Sequence, residues 1–161
     1  MSNKLRLAPI AIVVAIAAAG CGSSNNSTAN NSAAKAKLVA EADPICKHVA
    51  VKREAANASL HGTSKSTLEK LAQLAPKVSV TEHQAVEQLR ALKTPASLSQ
   101  EWQQMLSGIE QLANDTTKLA VVAKANDLKK VEALTASGRK VREKLTVIAT
   151  RDGFAYCGRT S

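Results

Sequence analysis

The chain has 161 residues, 45% of them hydrophobic, with a single Phe, a single Trp, a single Tyr and a formal net charge of +9. That length suits one domain, the core has to be built from aliphatic side chains, and the abundance of Ala, Leu, Val, Lys, Gln and Glu is helix composition. So few aromatic rings exclude the stacking platforms that hold single-stranded nucleic acid, and no nucleic-acid partner is expected.

The chain opens with Lys4 and Arg6, followed by an apolar run from Leu7 to Ala19 that includes Pro9. A membrane-spanning helix needs about 20 apolar residues, so this shorter run reads as an export signal over residues 1–20. At its end, Ala18-Ala19-Gly20-Cys21 resembles the lipobox of bacterial lipoproteins, with Ala18 where that motif prefers Leu. The resemblance implies cleavage before Cys21, a diacylglyceryl group on its sulfur, and a protein held to the extracytoplasmic face of the cell membrane. Two acyl chains anchor firmly where one holds only marginally. Ala17-Ala18-Ala19 also suits ordinary signal cleavage, which would leave Cys21 as the free thiol of a secreted chain. Loss of Lys4 and Arg6 takes the 22 basic residues to 20 against 13 acidic ones, a balance of +7 that favours an anionic envelope component or an acidic protein partner.

Residues 21–34 follow as a lipidated cysteine and a polar tether, since GSSNNSTANNS has neither periodicity nor core-forming residues. A flexible segment of that length averages roughly 20 Å end to end. Residues 35–161 are expected to fold as a four-helix bundle. Leu38, Ala42, Ile45, Val49, Ala56 and Leu60 share one face of a first helix that stops near His61-Gly62. Ser66-Thr67-Leu68-Glu69 fits a capping box and predicts the start of a second helix, continuing through Leu71, Ala75, Val78, Val86, Leu89 and Leu92 with a kink at Pro76. Pro95 suits the first turn of a third helix, whose stripe runs Leu98, Trp102, Met105, Ile109, Leu112, Thr116, Leu119 and Ala123. After Asn126-Asp127, a fourth uses Leu128, Val131, Leu134, Gly138, Val141, Leu145 and Ile148 and ends around Asp152-Gly153. Four such stripes are hidden most simply in an all-α, up-down four-helix bundle.

Two cysteines remain beside Cys21. Cys46 and Cys157 lie near opposite ends of the folded sequence, in a compartment where disulfides persist, and a closed bundle makes helix one a neighbour of the C-terminal tail. A bridge would enclose 157 − 46 = 111 residues and stabilise by about 5 kcal/mol on chain entropy. The competing reading is metal or haem ligation by Cys46-Lys47-His48 with Cys157, although no second Cys-x-x-Cys or His-x-x-x-His accompanies it. Ala42-Asp43-Pro44-Ile45-Cys46, Leu74-Ala75-Pro76-Lys77-Val78, Leu89-Arg90-Ala91-Leu92-Lys93-Thr94-Pro95 and Gly153-Phe154-Ala155-Tyr156-Cys157-Gly158 together resemble the ordered landmarks of small exported helical proteins of actinobacteria. That resemblance implies architecture and location, and carries no catalytic residue with it.

Chemistry-bearing motifs are few. His48, His61 and His83 are far apart, and no serine sits in Gly-x-Ser-x-Gly. No catalytic residue, metal or cofactor is expected, and the chain reads as a non-enzymatic interaction or accessory module, with a carrier of a small apolar ligand between the helices as the alternative. At 100° per residue Lys129, Lys140, Lys144 and Arg151 fall on one side of helix four, either as contacts for an anionic surface or as a solvated face alongside Glu132 and Glu143. Glu82 lies close to the apolar line of helix two, and Arg142 beside Gly138 and Leu145 on helix four. Each either serves a ligand cavity, or snorkels or pairs at the edge of its stripe, or, for Glu82, is turned outward by the kink at Pro76. A bundle of small and medium aliphatic side chains can close completely, so a large polar-mouthed pocket would favour the carrier.

Overall fold

A computed structural model describes residues 25–62 and 64–158, with side chains from residue 30 onward. Residues 1–20, read as an export signal, and Cys21 lie outside the described residues. Four long helices follow one another: α1 (Asn25–Asn57), α2 (Lys65–Arg90), α3 (Ser99–Lys124, entered through a 3-10 turn at Ala96–Leu98) and α4 (Leu128–Asp152). The chain is an all-α, up-down four-helix bundle whose first helix is joined to its C-terminal tail by a disulfide.

Two helix starts differ from the sequence expectation. Helix α1 begins at Asn25, within the segment read as a flexible tether. Asn30 to Ala33 are exposed, and burial begins at Ala34 and Lys35. These first turns therefore propagate outward from the packed part of α1, each added residue gaining a hydrogen bond without a new nucleation step. Helix α2 is capped by Ser64, not by the Ser66 box: the Ser64 hydroxyl accepts the Thr67 N–H at 3.3 Å. Thr67 in turn donates its own hydroxyl to the His61 carbonyl at 2.7 Å, fixing the entry turn. Ser64 stands the right number of residues ahead of a free N–H, which is the property that selects an N-cap. Helix α2 runs on through Pro76.

The remaining boundaries follow local chemistry. Asn126 takes a left-handed φ of 54°, a conformation Asn tolerates, and Asp127 caps α4 by accepting the Lys130 N–H at 3.2 Å. Gly153, at φ 85°, ends α4 in the left-handed conformation that glycine adopts without steric cost.

The tail then folds back on α1. Cys46 and Cys157 are bridged with their Cα atoms 5.0 Å apart, which excludes the metal or haem reading of these thiols. The Asp43 carboxylate, one turn ahead of Cys46, accepts the backbone N–H groups of Ala155 at 2.8 Å and Tyr156 at 3.0 Å. Thr146 donates to the Gly158 carbonyl at 2.8 Å. A side chain on Gly158 would meet the Leu145 carbonyl oxygen at 2.7 Å, so only glycine permits this approach.

Two apolar clusters fill the bundle. The larger surrounds the disulfide and contains Leu38, Leu89, Trp102, Met105, Leu145 and Phe154, with the Trp102 and Phe154 rings stacked 5.7 Å apart. The smaller, built on Leu68, Ala123 and Val131, occupies the other end. Backbones pack closely between α1 and α2, α2 and α3, and α3 and α4, but α1 and α4 do not approach one another in this way. Among the described residues their seam is joined by the Lys35–Asp152 ion pair at 3.2 Å, in the first half of α1, and by the disulfide from Cys46, past the middle of α1, to the tail that follows α4. Farther along α1 the seam stays open.

Candidate functional site

The open part of the seam is a cavity of about 550 Å³. Its walls come from the last turns of α1, the first half of α2, the middle and end of α3 and the first half of α4. Leu60, Leu68, Leu71, Leu119, Leu128 and Val131 provide most of the apolar lining. They gather here because the stripes of four helices converge on one axis, and beyond the disulfide no described contact draws the last turns of α1 onto α4 as closely as the other helix pairs are drawn together. Small and medium aliphatic side chains can close a bundle completely, but here they leave this space open. Leucines at these positions reach across a normal interhelical gap, and the α1–α4 gap is wider.

Charged groups cluster at the inner end of this cavity. Arg53 on α1 donates through Nη2 to Glu82 Oε1 at 2.6 Å and through Nε at 3.1 Å. The Glu82 side chain is 1% exposed and that of Arg53 19%. Of the sequence readings of Glu82, pairing is the one observed, the pair being buried rather than at the stripe's edge, and Pro76 does not turn Glu82 outward. The second Glu82 oxygen, Oε2, is buried and accepts no hydrogen bond among the described residues.

Arg142 differs from Arg53. It is half-buried, lies over Gly138 one turn back, and has no carboxylate within 4.0 Å among the described residues. Burial, and after it the neighbouring Arg53 guanidinium, pull its pKa below the ordinary guanidinium value, with Glu82 opposing. A guanidinium nevertheless stays protonated at any physiological pH, so α4 holds a positive charge in a place that resists it. Arg53 and Arg142 line both the large cavity and a small pocket of about 40 Å³ that continues toward the disulfide, which places them at the boundary between the two. Arg139 also lines the large cavity. Opposing them, Asp115 is 7% exposed, its Oδ1 lying 3.6 Å from Lys118 Nζ and its Oδ2 buried without a partner among the described residues.

The other sequence-nominated residues are dispersed. Lys129, Lys140 and Lys144 are exposed along α4. Arg151, placed with them by the helical wheel, is drawn away: it donates to Asp152 at 3.2 Å and lies 3.5 Å from Glu101. His83 lies 3.3 Å from the Thr117 hydroxyl on α3. No group of three His, Cys, Asp or Glu side chains among the described residues is arranged to hold a metal ion. No described helix is long and apolar enough to cross a membrane.

Arg53, Arg139 and Asp115 were not singled out from the sequence. A signal existed for Arg53: it falls four residues after Val49 on the α1 stripe, where an aliphatic residue is due, and its sign is opposite to that of Glu82. Asp43 was visible only as part of a landmark. Its partners are backbone groups 112 and 113 residues away, which no side-chain pattern encodes. No protein-family model, curated protein or solved structure matches the chain.

Proposed function

We propose that the chain is an exported lipoprotein, held to the extracytoplasmic face of the cell membrane through Cys21, whose helical domain binds a small apolar ligand between its helices without turning it over. One observation carries the binding part of this reading, the cavity of about 550 Å³ between α1 and α4, which lies within the usual range of small-molecule sites. Its lining is aliphatic with a few convergent polar groups, the usual make-up of such sites. Location rests on the lipobox resemblance at Ala18 to Cys21. Docking on an anionic envelope component or protein partner is a second reading, favoured by exposed Lys129, Lys140 and Lys144. The cavity moves the carrier reading ahead of it.

Methyl-resolved NMR of the exported chain carrying Cys21→Ser, titrated with decan-1-ol, tests the binding site. Saturable shifts at Leu68, Leu71, Leu119 and Val131, with Leu38 and Met105 unmoved, are expected. Ala56→Trp, which fills the cavity from α1, should abolish them. Shifts that never saturate, or that persist in Ala56→Trp, would overturn the carrier reading. Mass spectrometry of the mature protein tests the anchor, and an unmodified Cys21 would refute it.

A further inference from the structure

We infer that the ligand is a single-chain amphiphile with an anionic oxygen headgroup, its head bound by Arg142 at the inner end of the cavity and its chain laid along the leucines toward the opposite end of the bundle. The inference rests on the carrier reading and gives its ligand a chemistry.

Three features point to it. First, the two half-buried guanidiniums and most of the leucines lie at different ends of the cavity, the carboxylate at the leucine end, Glu132, being exposed. Arg53 and Arg142 stand at the boundary with the small pocket beside the disulfide, whereas Leu60, Leu68 and Leu128 come from helix ends at the other extreme. Second, the two guanidiniums are not equivalent. Glu82 takes two hydrogen bonds from Arg53 and has none to Arg142, so one cation is neutralised inside the protein and the other is left to a partner from outside. A planar guanidinium offers paired donors that match the two oxygens of a carboxylate or phosphate. Third, the surroundings of Arg142 are short of negative charge. The nearest influences after burial are Arg53, Glu82 and Arg139, two cations against one carboxylate, and the other buried carboxylate of the cavity, Asp115, has Lys118 beside it. An anion placed there relieves a charge that the fold already holds out of water, and it does so in a partly desolvated site where the attraction is stronger than at the surface.

The same segregation argues against two other ligand types. A neutral hydrocarbon would leave the Arg142 guanidinium desolvated and unpaired. A cationic amphiphile with its head at this end would meet the Arg53 and Arg142 guanidiniums, and the oxygens unpartnered there among the described residues, Glu82 Oε2 and Asp115 Oδ2, belong to carboxylates whose charge Arg53 and Lys118 already offset.

The test compares three ten-carbon probes on the exported chain carrying Cys21→Ser, by calorimetry and NMR at neutral pH: decanoate, decan-1-ol and decyltrimethylammonium. Decanoate is expected to bind at least tenfold more tightly than decan-1-ol, and decyltrimethylammonium more weakly than both. Arg142→Gln should bring decanoate to the affinity of decan-1-ol while leaving decan-1-ol unchanged, and Arg142→Lys should restore part of the difference. Decyl phosphate serves as a fourth probe. Whether it or decanoate binds tighter tells a phosphate-headed from a carboxylate-headed ligand, and either result is consistent with Arg142 as the oxyanion receptor. Equal binding of decanoate and decan-1-ol, tighter binding of the cation, or an acid preference that survives in Arg142→Gln would overturn the inference with the carrier reading intact. Absence of binding by every probe would overturn both. Should Arg142→Gln unfold, Arg142→Lys and Glu82→Gln keep the question open to measurement. Releasing Arg53 from Glu82 adds a second free cation, and decanoate affinity should rise.

Discussion

Replacing Cys46 and Cys157 together by Ala is expected to cost the domain about 5 kcal/mol, nearly all of it through the unfolded chain. The bridge closes a separation of 111 residues, for which loop-closure entropy gives about 5 kcal/mol at 25 °C. In the native state the tail has other holds: Asp43 accepts the Ala155 and Tyr156 N–H groups, Thr146 reaches the Gly158 carbonyl, and Phe154 is buried against Trp102. The folded structure therefore changes little, while the denatured chain gains the freedom that the crosslink denied it. Urea unfolding followed by far-UV circular dichroism measures this. With a slope of about 1–3 kcal/mol per molar urea, the midpoint should fall by roughly 2–5 M. The slope itself should rise, because an uncrosslinked denatured chain exposes more surface. A midpoint within about 0.5 M of the native protein, at an unchanged slope, would mean that the crosslink hardly restricts the denatured chain and would refute the reasoning.

Two further perturbations probe the charged interior. Glu82→Gln leaves Arg53, whose side chain is 19% exposed, without its counter-charge and should destabilise by about 3 kcal/mol, the lower end of the range for breaking a buried pair. The double replacement Glu82→Met with Arg53→Met should recover most of that loss in thermal unfolding, and a single variant of unchanged stability would show the pair to be well solvated. Asp152 supplies an acid dependence. Burial alone would raise its pKa, but hydrogen bonds from Arg151 and Lys35 prevail and hold it below the ordinary value of 3.8. Because the folded state binds this proton less readily than the unfolded chain, the stabilisation is fully present above the unfolded pKa and is lost as pH falls through the folded one. Asp152→Asn should accordingly flatten the stability profile below about pH 4 and leave its slope near neutrality unchanged, and parallel acid limbs for the two proteins would contradict this.

The helices were legible because each stripe is a local property. Met105 and Leu112 on α3, or Val131 and Leu145 on α4, are related by helical spacing alone, and all four are buried. The cysteine pair was legible from compartment and chain order. The cavity was not, because it depends on the distance between α1 and α4, helices that are first and last in sequence and, beyond the disulfide, are not drawn together. Nor was the capping role of Ser64. Ser64 and Ser66 both have a hydroxyl suited to the task, and the choice is made by the turn that Thr67 ties to His61. Glu82 and Arg142 stood out as charges on apolar faces. Which would be neutralised and which left unpaired depended on Arg53, a residue of a different helix.

The bundle has a near end and a far end. Only Gly22 to Ser24 separate Cys21 from the first helical residue, and α1 then advances about 1.5 Å per residue, so Lys35 and Asn57 are roughly 33 Å apart. Arg53, Asn57 and Leu60, which line the cavity, belong to the last turns of α1 and the turn after it. For a chain held at Cys21 with α1 standing off the membrane, Lys35 comes first, the disulfide next, and the cavity begins at Arg53, about 42 Å along the helix from Asn25. With α1 upright on such an anchor, a ligand would not pass sideways from the leaflet into the cavity, and would arrive from solution or from a second protein at a height set by the length of one helix.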